Sequence, residues 1–400
     1  MNTTRFLSKA YREKFQGKGR PDYILIGVIA VLLVLGLEMV YSSSFVIAHN
    51  NPQYHSDTYF LVRQLIWVGL GIGAMMILMR VDYHRYQRIT VPAMIIIILM
   101  LFIVILFGHS AYGAQRWLSL GPLPPIQPSE FAKLVLILYL SNWLSRRGER
   151  LKDLSYGTLP FAVMLGLIAG LVLMQPDMGS AFVIVLSAVC LFFIAGADLR
   201  HFTGGVIAGA IALVLAIMGA GYRSKRILAF LDPSQDPLGV GWHIIQTGIA
   251  LGSGGILGLG LGASRQKFYY LPSAHTDAIF AVIGEELGLI GTLGTLALFA
   301  LFAYRGYKIT IETPDSFGAL LAAGITFWIT FQALLNIAVV TSTIPFTGIT
   351  LPFVSYGGSS MLVSFAAIGI LLNISKHKAG FVPEKNRNKG AQPAWRRSES

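Results

Sequence analysis

The sequence is short of charge. Of its 400 residues only 12% are Asp, Glu, Lys or Arg, while 54% are hydrophobic. A soluble domain carries about 25% charged residues, so half of the usual polar coat is missing. Cysteine is nearly absent: Cys190 stands alone in an apolar run. That excludes a disulfide framework within the chain and a cysteine-built metal site. Acidic residues are scarce, 19 against 31 Lys and Arg, leaving a formal net charge of +12. The histidines are scattered without an H-x-x-x-H pair. No EF-hand loop, Walker A sequence, kinase set or nucleophile elbow occurs, which argues against an ATP-driven pump. A cleaved signal peptide is not expected either. The first ~20 residues are polar and basic, and no A-x-A-like site follows the first apolar run.

Long apolar stretches are abundant. They run over 22–42, 60–80, 91–107, 129–144, 158–175, 179–197, 202–221, 278–304, 317–340 and 357–375. Each is near the ~20 residues needed to cross a bilayer. Each is read as a helix, because a spanning segment must satisfy its own backbone hydrogen bonds. The expected fold is all-α: a polytopic membrane domain over 22–375 with about ten transmembrane helices, flanked by tails at 1–21 and 376–400. The C-terminal tail has the composition of a disordered segment.

Basic residues set the orientation. Arg5, Lys9, Arg12, Lys14, Lys18 and Arg20 precede the first run, and the 43–59 loop has no Lys or Arg. Arg80, Arg85 and Arg88, then Arg146, Arg147, Arg150 and Lys152, then Arg305 and Lys308, and finally Lys376 and the basic tail mark inner loops. Ten spans reconcile these signs and place both termini in the cytoplasm. The concentration of cations at the two ends suits an anionic inner leaflet. The segment 222–277 becomes a large extracytoplasmic loop between helices seven and eight, despite its own cations. A loop of that length is usually functional. Within it, residues 244–262 read IIQTGIALGSGGILGLGLG. This apolar, glycine-broken stretch is expected to be half-inserted or interfacial. It lacks the βαβ context of a dinucleotide fingerprint.

Five polar clusters interrupt the apolar pattern. Arg116-Trp117 is followed by Gln127-Pro128-Ser129-Glu130 and Lys133. Pro128 and Ser129 suit a helix start, and Glu130 and Lys133, three apart, share one helix face. They read either as an internal ion pair or as a functional pair, the default for charges within a membrane. Gln175-Pro176-Asp177-Met178-Gly179 is a tight turn that needs no function. Arg223, Lys225 and Arg226, with Arg265 and Lys267 further on, suit an anionic, phosphate-bearing ligand, or form a solvated charge run. His275-Thr276-Asp277 enters helix eight. Asp277 is a helix cap, or a carboxylate held ionised by the helix dipole for use as a general base. Ser355-Tyr356-Gly357-Gly358-Ser359-Ser360 opens helix ten. Its small residues permit close packing and expose amides to anions.

Together these clusters resemble the SEDS family, the FtsW/RodA/SpoVE group of bacterial cell-wall proteins. AQRWLSLGPLPPIQPSEFAK, QPDMGSA, RILAFLDP, FYYLPSAHTDAIFAVIGEELG and TLPFVSYGGSS fall in the family's order, and the likeness runs from about Tyr23 to Ile374. GLGLGASRQKFYYLPSAHTD and IGEELG are more similar to the division members than to the elongation members, and the sporulation members carry similar motifs. Ser273 stands where the family often has Glu, and Ala278 where it often has Phe.

The resemblance implies a peptidoglycan glycosyltransferase that polymerises lipid II at the outer face of the cytoplasmic membrane, at the division septum. It implies a class B penicillin-binding protein as partner, together with other divisome membrane proteins. Asp277 matches the family's essential loop aspartate, Glu130 and Lys133 the pair in its central cavity, and Arg116 the preceding arginine. Arg223, Arg226, Gln266, Lys267, His275, Thr276, Ser355 and Ser359 are the expected substrate contacts. The resemblance makes Asp277, Lys133 and Glu130 the expected catalytic residues: in an inverting single displacement, Asp277 takes the proton of the acceptor hydroxyl while Lys133, Arg116 and cations of the 222–267 loop stabilise the departing pyrophosphate. No cofactor is evident; a divalent cation, Mg or Mn, could share that task, though no ligand set is visible. A lipid II transporter and a non-catalytic division scaffold are the competing functions. Elongation and sporulation are the competing roles within the family.

Overall fold

A computed structural model describes residues 19–51, 54, 56–111, 114–119, 125–219, 221–268 and 270–377. Most of both expected tails, together with Gly113, lies outside the described residues.

Helices stand at every apolar run. They are α1 (Tyr23–Asn50), α2 (Tyr59–Arg80), α3 (Thr90–Phe107), α4 (Pro128–Ser145), α5 (Leu159–Met174), α6 (Met178–Ile194) and α7 (Leu199–Met218). Two shorter helices, α8 (Gly221–Leu231) and α9 (Val240–Ser253), precede α10 (Ile279–Glu312), α11 (Ser316–Val340) and α12 (Gly358–Ser375). Among the described residues, seven helices are long and apolar enough to cross a membrane by length and composition; α4, α6 and α7 are not among them. The reason is visible in two of these: α4 carries Glu130 and Lys133, and α6 has 17 residues.

The described part of the expected 222–277 loop is largely structured, containing α8, α9 and a glycine-rich segment. A two-stranded antiparallel hairpin, β1 (His109–Ala111) and β2 (Ala114–Trp117), was not expected in an all-α chain. Strands of three and four residues are too short to leave a period in the sequence.

The apolar surface divides into lipid-facing and packed positions. Ile95, Ile96, Leu99, Phe102 and Leu106 of α3 are exposed, whereas Met94, Ile97, Leu101 and Val104 are buried. Hydrophobicity therefore cannot pair these helices, since lipid is as apolar as leucine; close packing and polar contacts must. Helices α11 and α12 are central: 67% and 83% of their spanning windows are buried, against 22% for α2 and α10. Helix α12 packs along α2. At Gly369 that approach is so close that a Cβ would stand 2.6 Å from the Met75 carbonyl oxygen. Helices α4 and α6 pack on α11. The first and last described residues meet on one face of the bundle, where the Gly19 amide donates to the Lys376 carbonyl at 2.9 Å and the Asp22 amide to Ser375 Oγ at 3.2 Å.

Helix α10 is broken at Gly288, whose φ of 66° and ψ of −160° are open essentially to glycine alone. The break removes two intrahelical hydrogen bonds, and membrane-buried backbone must replace them. The glycine-rich segment after α9 does so. Leu259 and Gly260 amides donate to the Glu285 and Glu286 carbonyls, both at 3.0 Å; the Leu289 and Ile290 amides donate to Gly255 and Ile256 at 2.9 and 3.3 Å. The stretch expected to be half-inserted is thus a short helix followed by a strap that completes a broken one.

Candidate active site

Three segments converge at one end of the bundle: 271–278 before α10, 341–357 between α11 and α12, and 125–127 before α4. The Tyr356 amide donates to the His275 carbonyl at 2.9 Å. Ser355 Oγ donates to the Thr276 carbonyl at 2.6 Å and accepts from the Leu351 amide at 2.8 Å. The Gln127 amide donates to Ser359 Oγ at 3.0 Å. Gln64 of α2 braces the same corner, donating to the Ser355 carbonyl at 3.1 Å.

Asp277 sits in this junction. Its main-chain carbonyl accepts from Asn336 Nδ2 at 2.8 Å, and that amide also donates to the Ile349 carbonyl at 2.6 Å. The Thr276 hydroxyl donates to the Asp277 carboxylate. Gly348, at φ 68°, lies so near that a Cβ there would be 3.3 Å from Asp277 Oδ2. Burial pushes the carboxyl above its ordinary value of 3.8, while the Thr276 hydroxyl and the charges of Arg116 and Arg226 pull it down. Asp277 is therefore a carboxylate that feels the charges of two guanidinium groups, in surroundings that on balance raise its basicity.

Both arginines are held by backbone. Arg116, on β2, donates to the Gln175 carbonyl at 3.3 Å and to the Pro176 carbonyl, and lies 3.9 Å from Asp177. Asp177 accepts from Gln127, Ser129 and the Ser180 amide, each at 3.1 Å. It caps α6, which agrees with its reading as a structural turn residue. Arg226, on α8, donates to the Phe346 carbonyl at 3.4 Å and lies 5.4 Å from the centre of the Phe346 ring. Arg223 is on the same helix; its side chain lies outside the described residues.

Lys133 and Glu130 are buried and paired at 2.7 Å. Lys133 also donates to Gln332 Oε1 at 2.8 Å, and Gln332 Nε2 donates to the Thr350 carbonyl at 3.1 Å. Glu130 Oε2 is buried without a hydrogen-bond partner among the described residues. Gln332 and Asn336 are one turn apart on α11, so a single helix face ties the buried pair to the Asp277 loop. Sequence reasoning missed both. Their signal was two amides at i, i+4 in an otherwise apolar helix.

Several expected substrate contacts are placed otherwise. Ser355 and Ser359 are buried, and their hydroxyls are engaged in joining the loops. His275 packs between Phe60 and Tyr356, with ring centres at 4.7 and 5.6 Å. Burial pushes its imidazole down to about 4, so it is neutral near pH 7. The Thr276 hydroxyl is directed at Asp277. Lys267 is buried in a 3.1 Å salt bridge to Glu286, because an unpaired ammonium is costly away from water. Gln266 lies beside it, its amide 3.3 Å from Glu285 Oε1. Among the described residues Lys267 makes no hydrogen bond to the Asp277 junction, whereas the Gln266 carbonyl accepts from the Leu271 amide at 2.9 Å. Among the described residues no group of three or more His, Cys, Asp or Glu side chains gathers to hold a metal. With the charges of Arg116 and Arg226 acting on Asp277, the junction fits an anionic ligand better than a protein-held divalent ion.

The helical bundle with this junction defines a polytopic membrane protein of one family. Residues 23–380 match the FtsW/RodA/SpoVE family model, described as cell cycle protein, and the chain belongs to that family. It is 42% identical over 356 residues to a probable peptidoglycan glycosyltransferase FtsW of Trichlorobacter lovleyi, covering 88% of this chain and 93% of that one. It is 41% identical to the stage V sporulation protein E of Bacillus subtilis, covering 90% and 98%. Among solved structures it is similar to a chain from work on the structural coordination of polymerization and crosslinking by a peptidoglycan synthase complex. That match has TM-score 0.73 and 30% identity, covering 89% of this chain and 98% of that one. The rod shape determining protein RodA of Thermus thermophilus superposes with TM-score 0.67 at 27% identity, covering 90% and 98%.

Proposed function

We propose that this protein is a peptidoglycan glycosyltransferase that polymerises lipid II at the outer face of the cytoplasmic membrane, for septal wall synthesis during division. The observation that carries the reading is Asp277, a half-buried carboxylate in the loop junction, within the field of Arg116 and Arg226. A proton acceptor in the field of two fixed cations suits glycosyl transfer from a pyrophosphate-linked donor. The names of relatives 41–42% identical to this chain support the same activity.

In the proposed step, Asp277 removes the proton from the acceptor sugar hydroxyl as that oxygen attacks the anomeric carbon of the donor. The bond to the pyrophosphate oxygen breaks, and the leaving polyprenyl pyrophosphate keeps the electron pair. Arg116 and Arg226 stabilise its developing charge. A single displacement inverts the anomeric centre. The raised carboxyl is a stronger base than an ordinary aspartate, which favours proton transfer to it. Lys133, neutralised by Glu130 and bound to Gln332, holds the α4–α11 seam beneath the loop. A class B penicillin-binding protein would cross-link the product, since this chain has no S-x-x-K with K-T-G.

The test supplies labelled lipid II to the protein purified with its penicillin-binding partner, with transpeptidation blocked by a β-lactam. Glycan ladders from the complex and none from the partner alone support the reading, and NMR of the product should show the inverted anomer. Transbilayer movement of lipid II without ladders would favour a transporter.

A further inference from the structure

Glu285 and Glu286 gather more donors than any other acidic pair described here. Glu285 accepts from Ser264 Oγ at 2.5 Å, the Arg265 amide at 2.8 Å and the Gln266 amide at 3.3 Å. Glu286 accepts from Ser42 Oγ at 2.6 Å, the Gly262 amide at 2.9 Å, Lys267 Nζ at 3.1 Å and the Ser264 amide at 3.3 Å. Lys267 also donates to Ser42 Oγ at 3.0 Å and the Gly262 carbonyl at 2.6 Å. Both glutamates are almost fully buried. The main-chain ladder that completes α10 ends at Gly260. Holding α10 together therefore does not require the side-chain network over 262–267.

The network does close a loop. Residues 262–267 are pinned to 285–286, and the chain between them carries Asp277. The far side of that loop is held by the Asn336, Ser355 and Tyr356 bonds. Fixing both ends of a segment removes most of its conformational freedom. In low dielectric a fully satisfied charged network is rigid, while a partly satisfied one is costly. Ser42 adds α1 as a third anchor.

We propose that the Lys267–Glu286 pair, with Glu285 and Ser42, is a latch whose role is to position the 268–278 segment and so fix Asp277 for turnover. These are positioning residues; none is placed against substrate. The turnover part rests on Asp277 being the reacting group, whereas the ordering part stands without it.

The test uses the full chain in lipid nanodiscs with its penicillin-binding partner. Lys267→Met combined with Glu286→Gln removes both charges and leaves neither buried alone. The thermal unfolding temperature should fall only modestly, because no charge of the pair is left unpaired, although Ser42 and the Gly262 carbonyl lose the Lys267 donor. Amide exchange over 268–278 should rise about tenfold or more, with exchange in α11 and α12 unchanged. Turnover should fall about tenfold or more with KM for lipid II nearly constant, because misplacing a reacting group costs rate more than binding. Should the double variant fail to fold, Ser264→Ala removes one neutral donor from Glu285 and is read by the same exchange measurement. Unchanged exchange over 268–278 in a folded variant overturns the latch. Raised exchange with unchanged turnover overturns its positioning role. If wild type makes no glycan, the polymerase reading fails while the exchange arm still decides the latch.

Discussion

At Asp277 stability and activity pull in opposite directions. Burial raises the folded-state carboxyl above 3.8, so the folded protein holds this proton more tightly than the unfolded chain. The contribution of the group to stability is then fully present at acid pH and is lost as pH rises through the raised value. Asp277→Asn removes that penalty, so its melting temperature should equal or exceed wild type at pH 7 while glycan synthesis is lost. Activity needs the ionised form. The acid limb of kcat/KM should therefore fall above the ordinary aspartate range, and a limb at or below 3.8 would contradict the role of burial. Lys133 behaves differently. Lys133→Ala leaves Glu130 buried with no counter-charge and should cost about 3–5 kcal/mol, read as lost folded yield. Lys133→Met with Glu130→Gln should recover much of that yield. The Glu130–Lys133 pairing was legible from a spacing of three. The partners Gln332 and Asn336 were not, because nothing local tells which face of α11 meets α4. Lys267 misled for a similar reason: a cation in a loop reads as exposed until Glu286 is found beneath it.

Helix positions were legible because a bilayer-length apolar run has few alternatives. What the pattern did not reveal was the break in α10 and its repair. Residues 278–304 read as one apolar run despite Glu285 and Glu286 at the break, and the glycines of 254–262 read as a half-inserted or interfacial stretch when they form a strap. The clue was paired: glycines at 258 and 288 meet, and a Cβ at 288 would stand 2.5 Å from the Ile256 carbonyl oxygen. Gly288→Val should therefore lower stability by about 1–3 kcal/mol from backbone strain alone, with more from the clash. Thermal unfolding in detergent measures it, and Gly294→Ala, where nothing lies within 4 Å, is the matched control. A Gly288→Val protein as stable as that control would show that the break is not required. Helix α8 escaped notice because it is 11 residues long, below the length at which apolar runs signal a span; the 14 residues of α9 showed only as the start of the half-inserted stretch.

For the whole molecule, the distribution of Lys and Arg is the ground for proposing both termini inside, and the contact between Gly19 and Lys376 puts the two described ends on one side. In a Cys190→Ser background, Ser56→Cys should react with an impermeant thiol reagent added to intact spheroplasts, and Gly148→Cys only after the membrane is opened. The reverse pattern would invert the orientation and move Asp277 away from the outer face. The central claim is that this outer junction polymerises glycan through one carboxylate. It is tested most directly by comparing lipid II polymerisation by wild type and Asp277→Asn, each with its penicillin-binding partner and matched for folded protein. The account predicts ladders from wild type and a loss of about 10²-fold or more in the variant, the scale of removing a general base. Ladders from Asp277→Asn at the wild-type rate would contradict it.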